Sequence, residues 1–263
     1  MSHLFNFSVS ALSQSEYLNL LRIYKKYQGA PKRIFLGIDF FSTTKGYKLN
    51  DDLDFVSDFN IFLHNFSLNM NLHNLLGYGR DMYKGTVVEE YYDRHSLIKK
   101  QIPHITYFAT DLEFIYQFAG VHKFENYEYD NQMLLRLYQF KKEAENAQVI
   151  VFIPPPHMDY FQFIAQNAGF ASYRRFIREL VDVFGSVIDF SGPNSVTTDR
   201  ANYFDPCHFN YKISKCIAVK ITERQDKSCP SDFGVKVTKE NLEAYLDKLE
   251  ADTAAYLEAN GSH

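Results

Sequence analysis

Two short runs of the chain are apolar almost without interruption: 33–39 (Arg-Ile-Phe-Leu-Gly-Ile-Asp) and 148–154 (Gln-Val-Ile-Val-Phe-Ile-Pro). A strand with one wet face alternates apolar and polar side chains, whereas a run apolar at successive positions is buried on both faces, as in a parallel sheet covered by helices. Each run closes on a polar or turn residue, which places a strand's carboxyl end, and any site built there, at Asp39 and at the prolines 154–156. Between and around the two runs helical periodicity alternates with strand signals, so the predicted class is α/β with a mostly parallel sheet.

The elements follow from local signals. Residues 4–9 alternate like a short strand, and Ser13-Gln-Ser-Glu16 is a capping box that opens a helix to about Gln28, with Tyr17, Leu20, Leu21 and Tyr24 on one face. Residues 40–127 are rich in aromatic residues and Asn and read as an insertion or lid of short helices. Asp130 is expected to cap a helix to about Asn146 with Leu134, Leu137 and Tyr138 inward. Helices are predicted over 158–168 and 170–184, a strand over 186–190, a loop over 191–208 and a helix over 210–223. Beyond Pro230, residues 233–237 form a candidate edge strand, and Thr238 is expected to cap a last helix to about Ala259. The expected organisation is one α/β domain over 1–222, carrying the 40–127 insertion, followed by a short strand and helix over 223–263.

Composition excludes several classes. With 263 residues, 46% apolar and 23% charged, the chain can bury a substantial core and matches neither a disordered nor a membrane-spanning protein. No apolar run approaches the roughly 18 residues of a membrane span, and a net charge of −4 spread along the chain offers nucleic acid no basic footprint. The anomaly is aromatic: 24 Phe and 19 Tyr against no Trp, enough to line a sugar-stacking groove or simply to fill a core. Cys207, Cys216 and Cys229 are odd in number and lack paired spacing, which argues against a zinc site and a disulfide framework while leaving one bridge to Cys229 open. The segment after Met1 does not read as a signal peptide.

Chemistry is expected beyond the carboxyl ends of the strands. Ser8 and Ser10 follow the first strand, Asp39 and Ser42 the second, His157 the third, and Ser191, Asn194 and Ser195 the fourth. The strongest signal is the last loop, Tyr203-Phe-Asp-Pro-Cys-His-Phe-Asn-Tyr211, where Asp205-x-x-His208 precedes a helix. Carboxylate and imidazole three residues apart on a turn can form the orienter and base of a hydrolytic triad; the plainer reading is that Asp205 caps the helix and His208 packs beside it. For Asp39 a cleft role and a turn cap weigh equally. His157 reads more simply as a helix start, and Ser8 and Ser10 as strand and turn residues. No spacing nominates a further ligand to join Asp39, Asp205 and His208 around a metal, and no cofactor is expected.

The order of 5–11 (Phe-Asn-Phe-Ser-Val-Ser-Ala), 36–41 (Leu-Gly-Ile-Asp-Phe-Phe), 149–155 (Val-Ile-Val-Phe-Ile-Pro-Pro) and 203–209 (Tyr-Phe-Asp-Pro-Cys-His-Phe) resembles the later blocks of the SGNH/GDSL hydrolase superfamily. It is most similar to SGNH-like proteins of bacterial cell-surface polysaccharide biosynthesis and O-acetylation. The likeness spans about residues 4–222. It implies a three-layer α/β/α fold with a flavodoxin-like sheet, Asp205 as orienter and His208 as base. It also implies an oxyanion hole built around Ser10 and Ala11 and around Gly37 and Asp39. Ala11 stands where the family has Gly, and Gly37-Ile38-Asp39-Phe40 where it has Gly-x-Asn-Asp. The family's first block, a strand ending in the nucleophilic Ser, has no counterpart ahead of residue 5, so that, by this resemblance, the chain is either a piece of a longer protein or a form that has lost the block. The expected function is therefore an SGNH-like domain related to esterases and O-acyltransferases acting on carbohydrate, weakly active or inactive. The alternative is a non-catalytic glycan-binding or assembly subunit. In either case residues 233–237 or a partner chain would complete the sheet, the ligand would be a carbohydrate or an acylated small molecule, and the likeness points to an exported or periplasmic protein.

Overall fold

The computed structural model describes residues 14–47, 90–92, 98–100 and 126–260. In chain order these form α1 (Gln14–Gln28), β1 (Arg33–Gly37), a 3-10 turn (Phe40–Thr43), β2 (Glu90–Tyr92), β3 (Ile98–Lys100), α2 (Met133–Glu143), β4 (Gln148–Ile153), α3 (Met158–Asn167), α4 (Phe170–Phe184), β5 (Ser186–Asp189), a 3-10 turn (Arg200–Asn202), α5 (Tyr211–Ile221), β6 (Val235–Thr238) and α6 (Leu242–Asn260). The chain divides into two units, Met1–Leu12 with Asn50–Ile105, and Ser13–Leu49 with Thr106–His263. Of the first, the described part is the antiparallel pair β2–β3, with Tyr91 opposite Lys99. The four-stranded sheet and the helices packed on it belong to the second.

Both apolar runs are strands, and they pair in parallel from Arg33↔Gln148 to Gly37↔Phe152. β4 continues in parallel into β5, and β6 closes the open four-stranded sheet antiparallel to β5, giving the order β1-β4-β5-β6. Because successive side chains of a strand point to opposite faces, each strand feeds two cores. Val151, Ile153 and Val187 join Leu137, Phe176, Leu180 and Leu246 from α2, α4 and α6. On the other face Ile150, Phe152 and Ile188 meet Ile213, Cys216 and Ile217 of α5, with Phe190 and Phe233. Burying one such Leu, Ile or Phe contributes roughly 1.5–3 kcal/mol, so α5 is held to its face chiefly by three side chains of one helical stripe.

The helix over 130–146 is shorter than expected and turned differently. Asp130 Oδ1 accepts the Gln132 N–H at 2.9 Å, yet the helix begins at Met133, and Met133, Leu137 and Phe140 form the buried stripe. Tyr138, expected inward, is 44% exposed and donates its hydroxyl to Asp182 at 2.6 Å. Leu134 is only partly buried. A phenol satisfied by a surface carboxylate has no need of the core; Leu137 stays in the stripe, and Met133 and Phe140 are buried instead of Leu134 and Tyr138.

The expected insertion lies mostly outside the described residues, but its two ends meet. Thr44 and Tyr129 form an antiparallel bridge, Lys45 N–H donates to Glu128 O at 2.8 Å and Asp130 N–H to Thr43 O at 2.7 Å. Phe40 stacks on Tyr127 at 5.6 Å. The chain thus leaves and re-enters the β1–α2 connection side by side. The described residues within 40–127 include a 3-10 turn and the strand pair β2–β3. At the other end of the chain, Thr238 does not cap α6. It is the last residue of β6, opposite Ser186, and Asn241 Oδ1 accepts its N–H at 2.7 Å to make the turn into the helix. The strand predicted over 4–9 lies outside the described residues, as does Ser13.

Cys216 and Cys229 are joined by a disulfide, and Cys207 is the free thiol. Among the described residues no helix is long and apolar enough to cross a membrane.

Candidate functional site

The loop after the second 3-10 turn is a small structure closed on itself. Tyr203 and Phe209 form an antiparallel bridge, and Phe204 N–H donates to His208 O at 2.8 Å. Inside it Asp205 Oδ1 accepts the backbone N–H groups of Cys207 and His208, each at 2.8 Å, while Asp205 Oδ2 lies 2.6 Å from His208 Nδ1. One carboxylate therefore folds the turn with one oxygen and orients the imidazole with the other. With Nδ1 as the donor, the basic lone pair belongs to Nε2. The His208 side chain is 59% exposed and that of Asp205 21%. The plainer reading of Asp205 as helix cap does not hold, because α5 is capped by Asn210, whose Oδ1 accepts the N–H groups of Lys212 and Ile213. Burial pushes the Asp205 carboxyl up, but the His208 imidazole and the two backbone donors outweigh it and hold the group below the usual carboxylate range.

Asp39, two residues past the end of β1, lies within the electrostatic reach of His208. It occupies the cap position of the first 3-10 turn, yet its carboxyl makes no capping bond. Its carbonyl oxygen takes Ser42 N–H and Oγ–H instead, at 3.1 and 2.7 Å. The turn-cap reading is thereby removed. The Asp39 side chain lines a cavity of about 30 Å³ with Ser191, Tyr160, Tyr173 and the prolines after β4, room for about one water molecule. Burial pushes its pKa up to about 6, with the His208 charge acting the other way. Cys207 lies in the same neighbourhood, its thiol pushed well up by burial and by the charges of Asp205 and Asp39. A thiol so disfavoured as thiolate is a poor nucleophile.

The remaining candidates separate. His157 caps α3, accepting the Asp159 N–H on Nδ1 at 3.1 Å; its backbone N–H donates to Pro206 O at 2.9 Å and its ring meets Tyr203 edge-on. It thus supports the loop that carries His208. Asn194 organises the turn after β5 through Val196, Thr197 and Gly192, and Ser195 donates to Asp232 at 2.7 Å. Ser191 is 8% exposed and faces the Asp39 cavity; its Oγ lies near Asp189 and Tyr173 without a hydrogen bond of good geometry. Gly37 has a packing reason to be glycine, since a Cβ there would stand 2.9 Å from the Phe152 ring. Ser8, Ser10 and Ala11 lie outside the described residues.

One buried carboxylate was missed in the sequence. Asp189, 1% exposed at the end of β5, accepts the hydroxyls of Tyr173 and Tyr245 and the Ser191 N–H, the last at 2.8 Å. Burial nonetheless raises its pKa, the hydrogen bonds offsetting part of the effect. It ends an apolar strand run just as Asp39 does, which was the available signal. Its three donors, from α4, α6 and the following turn, make it a structural hub. Among the described residues no cluster of three or more His, Cys, Asp or Glu is placed to hold a metal ion.

Fold and site together define a mixed α/β protein with an open, mostly parallel four-stranded sheet and an Asp–His pair on the loop leading into α5. Compared with known proteins, the chain matches no family model, no curated protein and no solved structure.

Proposed function

We propose that this chain is an SGNH-like α/β domain related to the esterases and O-acyltransferases that act on carbohydrate. The observation that carries the reading is the 2.6 Å contact between Asp205 Oδ2 and an exposed His208. It gives an imidazole a fixed orientation and an accessible base, which is the half of a triad that activates a hydroxyl. Further support comes from the three parallel strands and from helices packed on both faces, an arrangement compatible with a three-layer, flavodoxin-like sheet.

Turnover is weak or absent in this reading: no serine is identified as the nucleophile, and Asp39 adds a second reason. Where the resemblance calls for an amide that donates to a developing oxyanion, this chain has a carboxyl that is largely ionised at neutral pH. An anion there opposes the charge that acyl transfer must build. The same feature favours a second reading, a non-catalytic glycan-binding or assembly subunit, for which Tyr211, 79% exposed and three residues beyond His208, offers a stacking surface.

Hydrolysis of a generic aryl acetate is expected to be slight; vigorous hydrolysis that His208→Ala abolishes overturns the weak-turnover reading. A serine-directed fluorophosphonate separates the two classes. A stable adduct at one serine supports the hydrolase, whereas no adduct, with saccharide binding that survives His208→Ala, supports the binding subunit.

A further inference from the structure

α5 ends in an unusual turn. Glu223 N–H donates to Lys220 O at 3.1 Å and Arg224 N–H to Val219 O at 2.9 Å, the bond pair of a helix stop that normally places glycine in the left-handed position. Here Glu223 occupies it at φ 55°, alone among the described non-glycine residues. A side chain in that conformation costs about 1 kcal/mol or more, so the turn depends on the segment behind it for support. That segment runs on to Cys229, which is bonded back to Cys216 within α5.

Between this cross-linked loop and the C-terminal half of α5 lies a cavity of about 230 Å³. Its apolar wall is Cys216, Val219 and Phe233, and around it stand Lys220, Arg224 and Lys227. Asp226 also lines the cavity but pairs with Lys215 at 2.7 Å, and Glu223, next to Arg224 in the chain, pairs with Lys236 at 3.1 Å. Lys220, Arg224 and Lys227 have no acidic partner among the described residues. In a chain of net charge −4, three cations and a single acid, itself paired with Lys215, leave this concave surface with an excess of positive charge, and an anion relieves the repulsion among the cations.

We propose that this cavity binds a compact organic anion, a carboxylate carried on a small apolar body. The apolar body packs against the wall, and the carboxylate meets Lys220, Arg224 and Lys227, Arg224 being able to take both oxygens at once. Size agrees, since a cavity of about 150 Å³ accommodates benzene and this one leaves room for the charged group as well. The disulfide keeps the loop in its binding shape, which lowers the ordering cost of association. The site uses none of Asp39, Asp205 or His208 and stands whether or not the hydrolase reading does.

The test uses the full oxidised chain titrated with benzoate, followed by backbone amide shifts and calorimetry, with benzamide and inorganic phosphate as controls. Expected are one benzoate per chain, shifts concentrated in residues 216–233, and binding at least about tenfold weaker for benzamide, for phosphate and for the Lys220→Met/Arg224→Met variant. Arg224 is exposed and Lys220 half-buried, and an unchanged melting temperature of the variant certifies that it is folded. Absence of benzoate-dependent shifts in that segment, or equal binding of benzamide or phosphate, overturns the proposal. Undiminished affinity in a folded variant does so too.

Discussion

Asp205 holds His208 twice, through the imidazole at 2.6 Å and through the backbone N–H at 2.8 Å. Side-chain orientation and loop shape therefore depend on the same carboxylate. Asp205→Asn is expected to lower stability by roughly 1–3 kcal/mol at neutral pH, because a charge-assisted bond is lost and the loop is loosened. The folded carboxyl titrates below its unfolded value of about 3.9, so this stabilisation is present above that value and is lost as pH falls through the folded pKa. Urea unfolding of wild type and variant should show a gap at pH 7 that narrows at the acid end; a gap that does not depend on pH contradicts the assignment.

Asp39 acts in the opposite sense. Its pKa rises from 3.8 to about 6 on folding, so ionisation is disfavoured in the native state. The cost is absent below about pH 4, grows between pH 4 and 6, and is complete above that, at up to roughly 3 kcal/mol. Asp39→Asn removes it. The variant should be more stable than wild type at pH 7.5 and indistinguishable at pH 4 by thermal melting, and equal stability at both values counts against a buried, shifted carboxyl.

The Cys216–Cys229 bridge closes a loop with a sequence separation of 13. Reduction or Cys229→Ser is expected to cost roughly 2–3 kcal/mol, mainly by freeing the unfolded chain. Thiol titration in denaturant should find one free group in the oxidised chain, Cys207, and all three cysteines after reduction. Two or more free thiols without reductant refute the pairing.

Gly234 turns the chain into β6 at φ 80°, and a Cβ there would stand 2.4 Å from Cε1 of the fully buried Phe190. Gly234→Ala combines a left-handed backbone penalty with overpacking and should destabilise by roughly 2–4 kcal/mol in chemical denaturation. A loss under about 0.5 kcal/mol would show that Phe190 can move aside freely.

Elements whose cause is local were legible in the chain. The runs at 33–39 and 148–154 are strands, the helices over 158–168 and 170–184 end within a residue of expectation, and Asp205 and His208, three apart, meet on a turn that Asp205 itself folds. Where two local solutions competed, tertiary packing chose. The buried stripe of α2 is Met133, Leu137 and Phe140 because Asp182 offers Tyr138 a partner at the surface, and Thr238 stays in β6 because Ser186 pairs with it.

By itself, then, the sequence determined the strands at 33–39 and 148–154, the helices over 158–168 and 170–184, and that an acid and an imidazole share the turn before α5, since periodicity and short-range hydrogen bonding are encoded residue by residue. Only the tertiary structure decided that Asp39 stands within the field of His208, that Asp189 is sealed under Tyr173 and Tyr245, and that Cys229 pairs with Cys216 rather than Cys207. Each of these joins groups from separate elements. Their proximity and their desolvation arise only when the sheet and its helices close on one another, and burial is what gives those carboxyls their altered acidity.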